Sequence, residues 1–367
     1  MAGLKYSNNS KKGCVMKSQH LETKAAADGS GGKTRPTSLL PEGAFDTHVH
    51  VIDSAIGSFS PNRSYTPCQA PLEGLLAFAS SISATGRPCN QVLVQPSPYA
   101  VDNQVLIATL KQLKTAHPEV KARAIAVVDL AQVTDDQLRT MHDLGVRGLR
   151  INAQASGKEV DLAQLGEALL QAATRIKLLP EWKLQTFCPP EAWDGQCLAP
   201  LPGPSFFLKI KNLSVLTSTE LFDLIQSLPV ELIADHTGGL KGSSKLEGGG
   251  AGSLQQRGMS TLIRLAHEKK VFIKISGLYR SSCRVGTNFD DMGALISKLA
   301  EEVPDQLMWA SDWPHTGEGK DRLHGALDVE EPFREIDDVG VLRNIEKWVG
   351  PSVWQKMMVD TPRKVFL

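Results

Sequence analysis

The sequence predicts an α/β chain built as one (β/α)8 barrel. Three observations carry that expectation: eight short apolar runs, helical periodicity between several of them, and ionisable residues gathered where the runs end. Strand and helix in alternation imply a parallel sheet, because parallel neighbours need a long crossover, and eight repeats suit a closed barrel. An open doubly wound sheet is the alternative that count and order alone leave standing. With 41% hydrophobic and 22% charged residues in 367, the chain has apolar material for a core of that size.

The runs, in order, are "FDTHVHVI" (45–52), "QVLVQ" (91–95), "ARAIAVVD" (122–129), "GVRGLRIN" (145–152), "WKLQTF" (182–187), "VELIADH" (230–236), "VFIKISG" (271–277) and "LMWASDWP" (307–314). Between them, "NQVLIATLKQLKTAH" places Val105, Leu106, Ala108, Leu110 and Leu113 on one helical face, and "LAQLGEALLQAATRI" repeats the pattern. In the first run, alternation along an extended strand puts Asp46, His48 and His50 on one side and Thr47, Val49 and Val51 on the other.

Three segments fall outside this scheme. Residues 1–43 begin with a polar, Lys-rich and Gly/Ser-rich stretch and are expected to form a disordered arm, a mitochondrial presequence being the other reading; residues 44–367 form the barrel. Residues 188–217, rich in proline, read as an irregular insertion. The stretch "GGLKGSSKLEGGGAGS" after His236 reads as a mobile lid or a plain surface loop.

Forty basic residues balance forty acidic ones, which argues against a nucleic-acid groove or a polybasic membrane surface. The partner is expected to be a small molecule, with the chain a monomer or homodimer. Six scattered cysteines, no signal peptide and no long apolar span fit a cytoplasmic setting.

Polar residues at the C-terminal ends of barrel strands read as chemistry, since burying unpaired charge there is costly. Here they are His48 and His50 on the first strand and Arg147, Arg150 and Asn152 on the fourth. Gln185 follows on the fifth, Asp235 and His236 on the sixth, Tyr279 and Arg280 after the seventh, and Asp312 with His315 on the eighth.

The motifs "FDTHVHV", "RSYTP", "GVRGLRIN", "WKLQTF", "ELIADHTGG", "IKISGLYR" and "LMWASDWPH", in this order, resemble the amidohydrolase superfamily, in particular its branch of 2-pyrone-4,6-dicarboxylate lactonases. The resemblance implies a hydrolase that opens a lactone or similar cyclic ester of a small, carboxylated organic acid. It implies Asp312 as general base, with His48, His50 and His236 polarising the carbonyl and stabilising the oxyanion. Arg150 and Arg280 would bind substrate carboxylate, and Tyr65, Gln185 and His315 would complete the substrate shell.

Metal-dependent relatives usually add a histidine at the end of strand five and often a lysine or glutamate on strand four, where this chain has Gln185 and Arg150. A nearby guanidinium disfavours a dication, so no cofactor is expected; the alternative is one divalent ion such as zinc or manganese on His48, His50 and Asp312. The lactonases also carry a second arginine shortly after the strand-four arginine, where this chain offers Ser156 and Lys158. A metal-dependent decarboxylase or hydratase of the same superfamily, and a non-catalytic small-molecule-binding barrel, are the competing functions.

Overall fold

The computed structural model describes residues 39–154, 159–194, 218–246, 252–318 and 327–367. Eight parallel strands follow one another around the sheet in sequence order. They are β1 (Phe45–Val49), β2 (Asn90–Val94), β3 (Ala122–Ala126), β4 (Val146–Asn152), β5 (Lys183–Phe187), β6 (Leu232–Ala234), β7 (Val271–Ser276) and β8 (Leu307–Ala310). Every expected run supplies one strand. Most strands stop short of the run's end because the last residues leave the ladder to build the mouth.

The sheet closes where β1 meets the end of β8. Val49 bridges to Trp313, the His50 N–H donates to the Trp313 carbonyl at 2.9 Å, and the Asp312 N–H donates to the His48 carbonyl at 3.0 Å. The Thr47 hydroxyl adds a 2.7 Å bond to the Trp309 carbonyl. Closure rules out the open doubly wound sheet.

Helices cover the outside as the crossovers require. In α1 (Gln104–Ala116) Val105, Leu106, Leu110 and Leu113 are buried, the stripe expected from their spacing. In α2 (Leu162–Ile176) Leu165, Leu169, Ala172, Ala173 and Ile176 do the same, each large aliphatic contributing about 1.5–3 kcal/mol by leaving water. The Asp161 carboxylate caps this helix by accepting from the Ala163 and Gln164 N–H groups. Between β4 and β5 the backbones approach so closely that a Cβ on Gly148 would lie 2.3 Å from the Lys183 carbonyl oxygen, so no larger residue fits there.

The barrel interior is layered. At its N-terminal end Phe45, Val92, Val94, Ile125, Ile233, Phe272 and Met308 pack together, sealed by Val365 and Phe366 of the C-terminal helix Thr361–Phe366. Further along β7 the interior residue is Lys274, fully buried, and the layer turns polar towards the mouth.

β1 departs from strict alternation. Between the Asp46–Gln91 and Val49–Leu93 pairs, three steps of β1 oppose two of β2, the signature of a bulge. Phe45 accordingly packs inside the barrel while Val49, four residues on, packs in the outer core. The extra residue turns His48 and His50 inward and leaves Asp46 out of their company. Its carboxylate instead accepts the Ser311 N–H at 3.0 Å, correcting the expectation of one shared face.

The last residues of the expected arm are packed: Leu40 is fully buried and its N–H donates to the Ile82 carbonyl at 2.8 Å. Residues 1–38 lie outside the described residues, as do Ser156 and Lys158 and residues 195–217 of the proline-rich segment. The start of that segment forms a turn, Pro190–Trp193, whose Trp193 indole donates to the Gly238 carbonyl at 2.8 Å. The glycine-rich stretch is described up to residue 246 and again from 252. Its first part is tied down, Leu240 being buried and the Gly242 N–H bonded to the Ser281 carbonyl at 2.9 Å. Among the described residues no helix is long and apolar enough to cross a membrane.

Candidate active site

At the C-terminal mouth β1, β6 and β8 deliver His48, His50, His236 and Asp312 to one spot. Asp312 and His236 both adopt left-handed backbone, φ 65° and 51°, a conformation costing about 1–3 kcal/mol for such residues and characteristic of functional sites. Asp312 Oδ2 accepts the Tyr279 hydroxyl at 2.6 Å and Arg280 Nε at 2.7 Å, and Arg280 Nη2 is anchored on Thr316 Oγ1 at 3.0 Å. Burial would raise the Asp312 carboxyl, but the Arg280 guanidinium beside it outweighs burial and holds the group well below the usual carboxylate range. Asp312 is therefore an anion with one oxygen saturated.

Its other oxygen, Oδ1, is buried without a hydrogen-bond partner among the described residues. It lies 3.8 Å from His48 Nε2 and 3.7 Å from His50 Nε2. His50 Nδ1 is 2.7 Å from the Val94 carbonyl, which only accepts, so Nδ1 carries the hydrogen and Nε2 a lone pair. His48 Nδ1 faces the Asp235 carboxylate at 3.2 Å with the same consequence. Burial pushes both rings down, His50 to about 4 and His48 well below its ordinary value, so both are neutral at pH 7. Three lone pairs thus converge on one point, and what belongs there carries hydrogens or positive charge.

The third imidazole is arranged differently. Ser276 Oγ accepts the His236 backbone N–H at 3.3 Å and lies 3.0 Å from His236 Nδ1. Nδ1 is the one acceptor within reach of that hydroxyl's single hydrogen among the described residues, and with the hydrogen placed there Nε2–H is the donor at the cleft wall. Burial lowers His236 to about 4 and keeps it neutral. The ring is held edge-on by Phe187, centroids 4.7 Å apart.

Asp235, fully buried, organises the inner layer. Its Oδ2 accepts Arg150 Nε at 3.1 Å and Gln185 Nε2 at 3.0 Å, while Lys274 Nζ stands 3.8 Å from Oδ1. Burial opposes its ionisation, and His48, Lys274 and Arg150 more than compensate.

Of the expected residues, His50, Tyr65, Arg150, His236, Arg280 and Asp312 line the cleft, with Asn152, Phe187 and Thr316 beside them. His48 sits one layer deeper, fully buried. Tyr65 is held at the rim because Thr66–Pro67 pairs with Glu330–Glu331 and Arg63 donates to the Leu327 carbonyl at 3.1 Å.

Three expectations are corrected. Gln185 is fully buried and does not reach the cleft: its amide spans Asp235, Lys274 and His48. His315 points away, with Nε2 3.3 Å from Asp338 Oδ1 and its ring against Phe78 and Tyr279. Burial disfavours its charge, but Asp338 prevails and raises it. Arg147, too, lies off the site, paired with Glu181 at 3.2 Å.

Lys274 and Ser276 escaped the sequence reading, and Asp235 was noticed without a role. The available signal was a lysine inside the otherwise apolar "VFIKIS", on the same parity as Phe272 and Ser276.

The residues fit a divalent ion on one criterion. His48 Nε2 and Asp312 Oδ1 are orphaned, His50 Nε2 joins them, and Asp235 and the Val94 carbonyl orient the rings as outer partners of a metal site do. His48, His236 and Asp312 also offer donor atoms within 4.8 Å of one another. Arg150, Arg280 and Lys274 against Asp235 and Asp312, three cations to two anions, weigh against adding a dication.

The depressed imidazoles set a pH dependence. In the unfolded chain His50 and His236 titrate near 6.5, in the folded protein near 4, so across that window the unfolded state binds more protons. Stability therefore falls as pH drops from about 6.5 to 4, by about 3 kcal/mol per histidine over the full window. The buried Asp46 carboxyl, raised to about 7 by burial, opposes this trend by gaining stability as pH falls, so urea midpoints at pH 7, 5.5 and 4.5 are read in Asp46→Asn, where they will descend in that order; a flat series there would contradict the buried neutral pair.

A closed barrel that brings a buried carboxylate and three neutral imidazoles to its C-terminal mouth has the architecture of a (β/α)8 enzyme. The amidohydrolase family profile matches residues 45–367, and the chain belongs to that family. It is 28% identical over 345 residues to a 4-sulfomuconolactone hydrolase of Rhizobium radiobacter, spanning 92% of this chain and 95% of that one. It is 26% identical over 363 residues to a 2-pyrone-4,6-dicarboxylate hydrolase of Comamonas testosteroni, spanning 95% and 98%. A crystal structure from Agrobacterium tumefaciens superposes with TM-score 0.63 at 19% identity, covering 90% of this chain and 98% of the other.

Proposed function

We propose that this protein opens a lactone or similar cyclic ester of a small organic acid. The observation that carries the reading is the ionised Asp312 with Oδ1 unpartnered, facing two imidazole lone pairs beside the Nε2–H of His236. The names of the two relatives, a sulfo-substituted lactone hydrolase and a pyrone dicarboxylate hydrolase, support the reaction class.

A water placed among Asp312 Oδ1, His48 Nε2 and His50 Nε2 gives up a proton to Asp312 as its oxygen bonds to the acyl carbon. The carbonyl oxygen, now negative, receives the His236 Nε2–H and the charge of Arg150. On collapse the ring C–O bond breaks, and the leaving oxygen takes the proton back from Asp312. The products are a carboxylic acid and a hydroxyl on one open chain. On this reading the carbonyl is polarised by His236, whereas His48 and His50, lacking a hydrogen on Nε2, hold the water. That reassigns the role the family resemblance gave them.

Arg150 spends Nε on Asp235 and offers its two terminal nitrogens to a substrate acid, whereas Arg280, with Nε on Asp312 and Nη2 on Thr316 and Tyr279, offers Nη1. Catalysis without a metal is the first reading, on the charge count. The second, favoured by the orphaned lone pairs, is a divalent ion held by His48, His50 and Asp312, which would polarise the carbonyl and acidify bound water. No disulfide forms among the described cysteines, which supports a cytoplasmic setting.

The test is turnover of 2-pyrone-4,6-dicarboxylate, 4-sulfomuconolactone and γ-butyrolactone, with and without EDTA, alongside elemental analysis. An acidic lactone is expected to exceed the neutral one by about 10–100-fold in kcat/KM, the value of one charge-assisted contact, with no loss to EDTA. Loss that zinc or manganese restores selects the metal reading, and hydrolysis of none of the three sinks both.

A further inference from the structure

We infer that Lys274 is a positioning residue, which acts through Gln185 and Asp235 to keep the His48 hydrogen on Nδ1 and its Nε2 lone pair turned to the reacting water. The inference rests on the hydrolase reading for its catalytic consequence, though not for its geometry.

Lys274 has no packing reason to be where it is. It is fully exposed to no solvent, inside the barrel directly above an apolar layer, where a methionine would fill the same space without the cost of burying an ammonium. What it does have is two acceptors and a counter-ion. Nζ donates to the Thr47 carbonyl at 2.7 Å and to Gln185 Oε1 at 2.7 Å, and Asp235 Oδ1 stands 3.8 Å away.

Each contact bears on His48. An amide has one oxygen and one NH2, so an ammonium on Oε1 obliges the NH2 of Gln185 to face Asp235 Oδ2 at 3.0 Å. Rotating that amide by half a turn would set its oxygen against the carboxylate and its NH2 against the ammonium, opposing both partners. With Gln185 and Arg150 on Oδ2, Asp235 presents Oδ1 to His48 Nδ1 at 3.2 Å, and this carboxylate, charged and nearer than the Gln185 NH2 at 3.4 Å, selects the Nδ1–H tautomer against the amide. The third contact grips the carbonyl of Thr47, within the bulge that swings His48 inward. One cation thereby fixes the ring's tautomer and its backbone. Burial lowers Lys274 to about 8, with Asp235 opposing the shift, so the ammonium form prevails at pH 7.

The experiment compares wild type, Lys274→Met, Gln185→Leu and the double variant. Kinetics use 2-pyrone-4,6-dicarboxylate, and imidazole 15N spectra of His48 are recorded without substrate. Expected are a kcat lower by about 10–100-fold with KM within about threefold, as for other groups that orient a reacting side chain. The His48 spectrum should change from the Nδ1–H form to a mixture, and the double variant should be no slower than the worse single one. Additive losses, or an unchanged His48 tautomer in Lys274→Met, would overturn the inference.

If Lys274→Met does not fold, Gln185→Glu decides. It keeps a partner for Lys274 but sets an acceptor against Asp235, and it should lose kcat comparably; wild-type kcat would overturn the inference. Because the tautomer is read in substrate-free protein, failure there leaves the lactonase reading intact. Conversely, absence of lactone turnover leaves the tautomer result intact.

Discussion

Replacing Asp312 by Asn will lower kcat by about 10²–10⁴-fold, the usual contribution of a general base, with the barrel still folded. The side chains have the same outline, and the carboxamide oxygen can take the Oδ2 place to accept the Tyr279 hydroxyl and Arg280 Nε. What is lost is the anionic Oδ1. An NH2 there faces the lone pairs of His48 and His50 and can satisfy them, so the variant should fold well and fail only in proton transfer. Steady-state kinetics together with a circular-dichroism melt check this. A folded Asp312→Asn retaining a tenth or more of wild-type kcat would remove Asp312 from the base role.

His236→Ala should cost about 10²–10³-fold in kcat, the range for one oxyanion donor, with KM little changed because the bond strengthens only as charge develops on the substrate oxygen. The ring is anchored on Ser276 and Phe187, neither of which depends on it for packing within its own strand. A variant with normal kcat and raised KM would place His236 in ground-state binding and return the oxyanion to Arg150 alone. Together the two substitutions separate the half of the site that moves a proton from the half that stabilises charge.

Much of this was legible beforehand. The eight runs marked the strands because a parallel strand buried on both faces reads as an apolar run, and the ionisable residues at or just past the ends of the first, fourth, sixth, seventh and eighth marked the mouth. His50, Arg150, His236, Arg280 and Asp312 were found at the cleft by that logic alone. The rest needed three dimensions. Alternation misplaced Asp46 because a bulge inserts one residue without a sequence mark. Gln185 is the middle residue of β5 and lies beneath the site, where Asp235 and Lys274 claim its amide. His315 follows Asp312 so closely that it looked like a partner, but a left-handed residue at each position, φ 65° and 66°, turns it outward to Asp338. Lys274 was invisible because its meaning lies wholly in what surrounds it.

The seam between β1 and β8 has a temporal consequence. Its bonds run from His48 to Asp312 and from His50 to Trp313, so the contacts that shut the cylinder are made by the reacting residues and their immediate neighbours. A ribosome must therefore deliver nearly the entire polypeptide before any chemistry is possible. A nascent or prematurely terminated chain that stops before the eighth strand would hold both histidines of the first strand and still be catalytically silent.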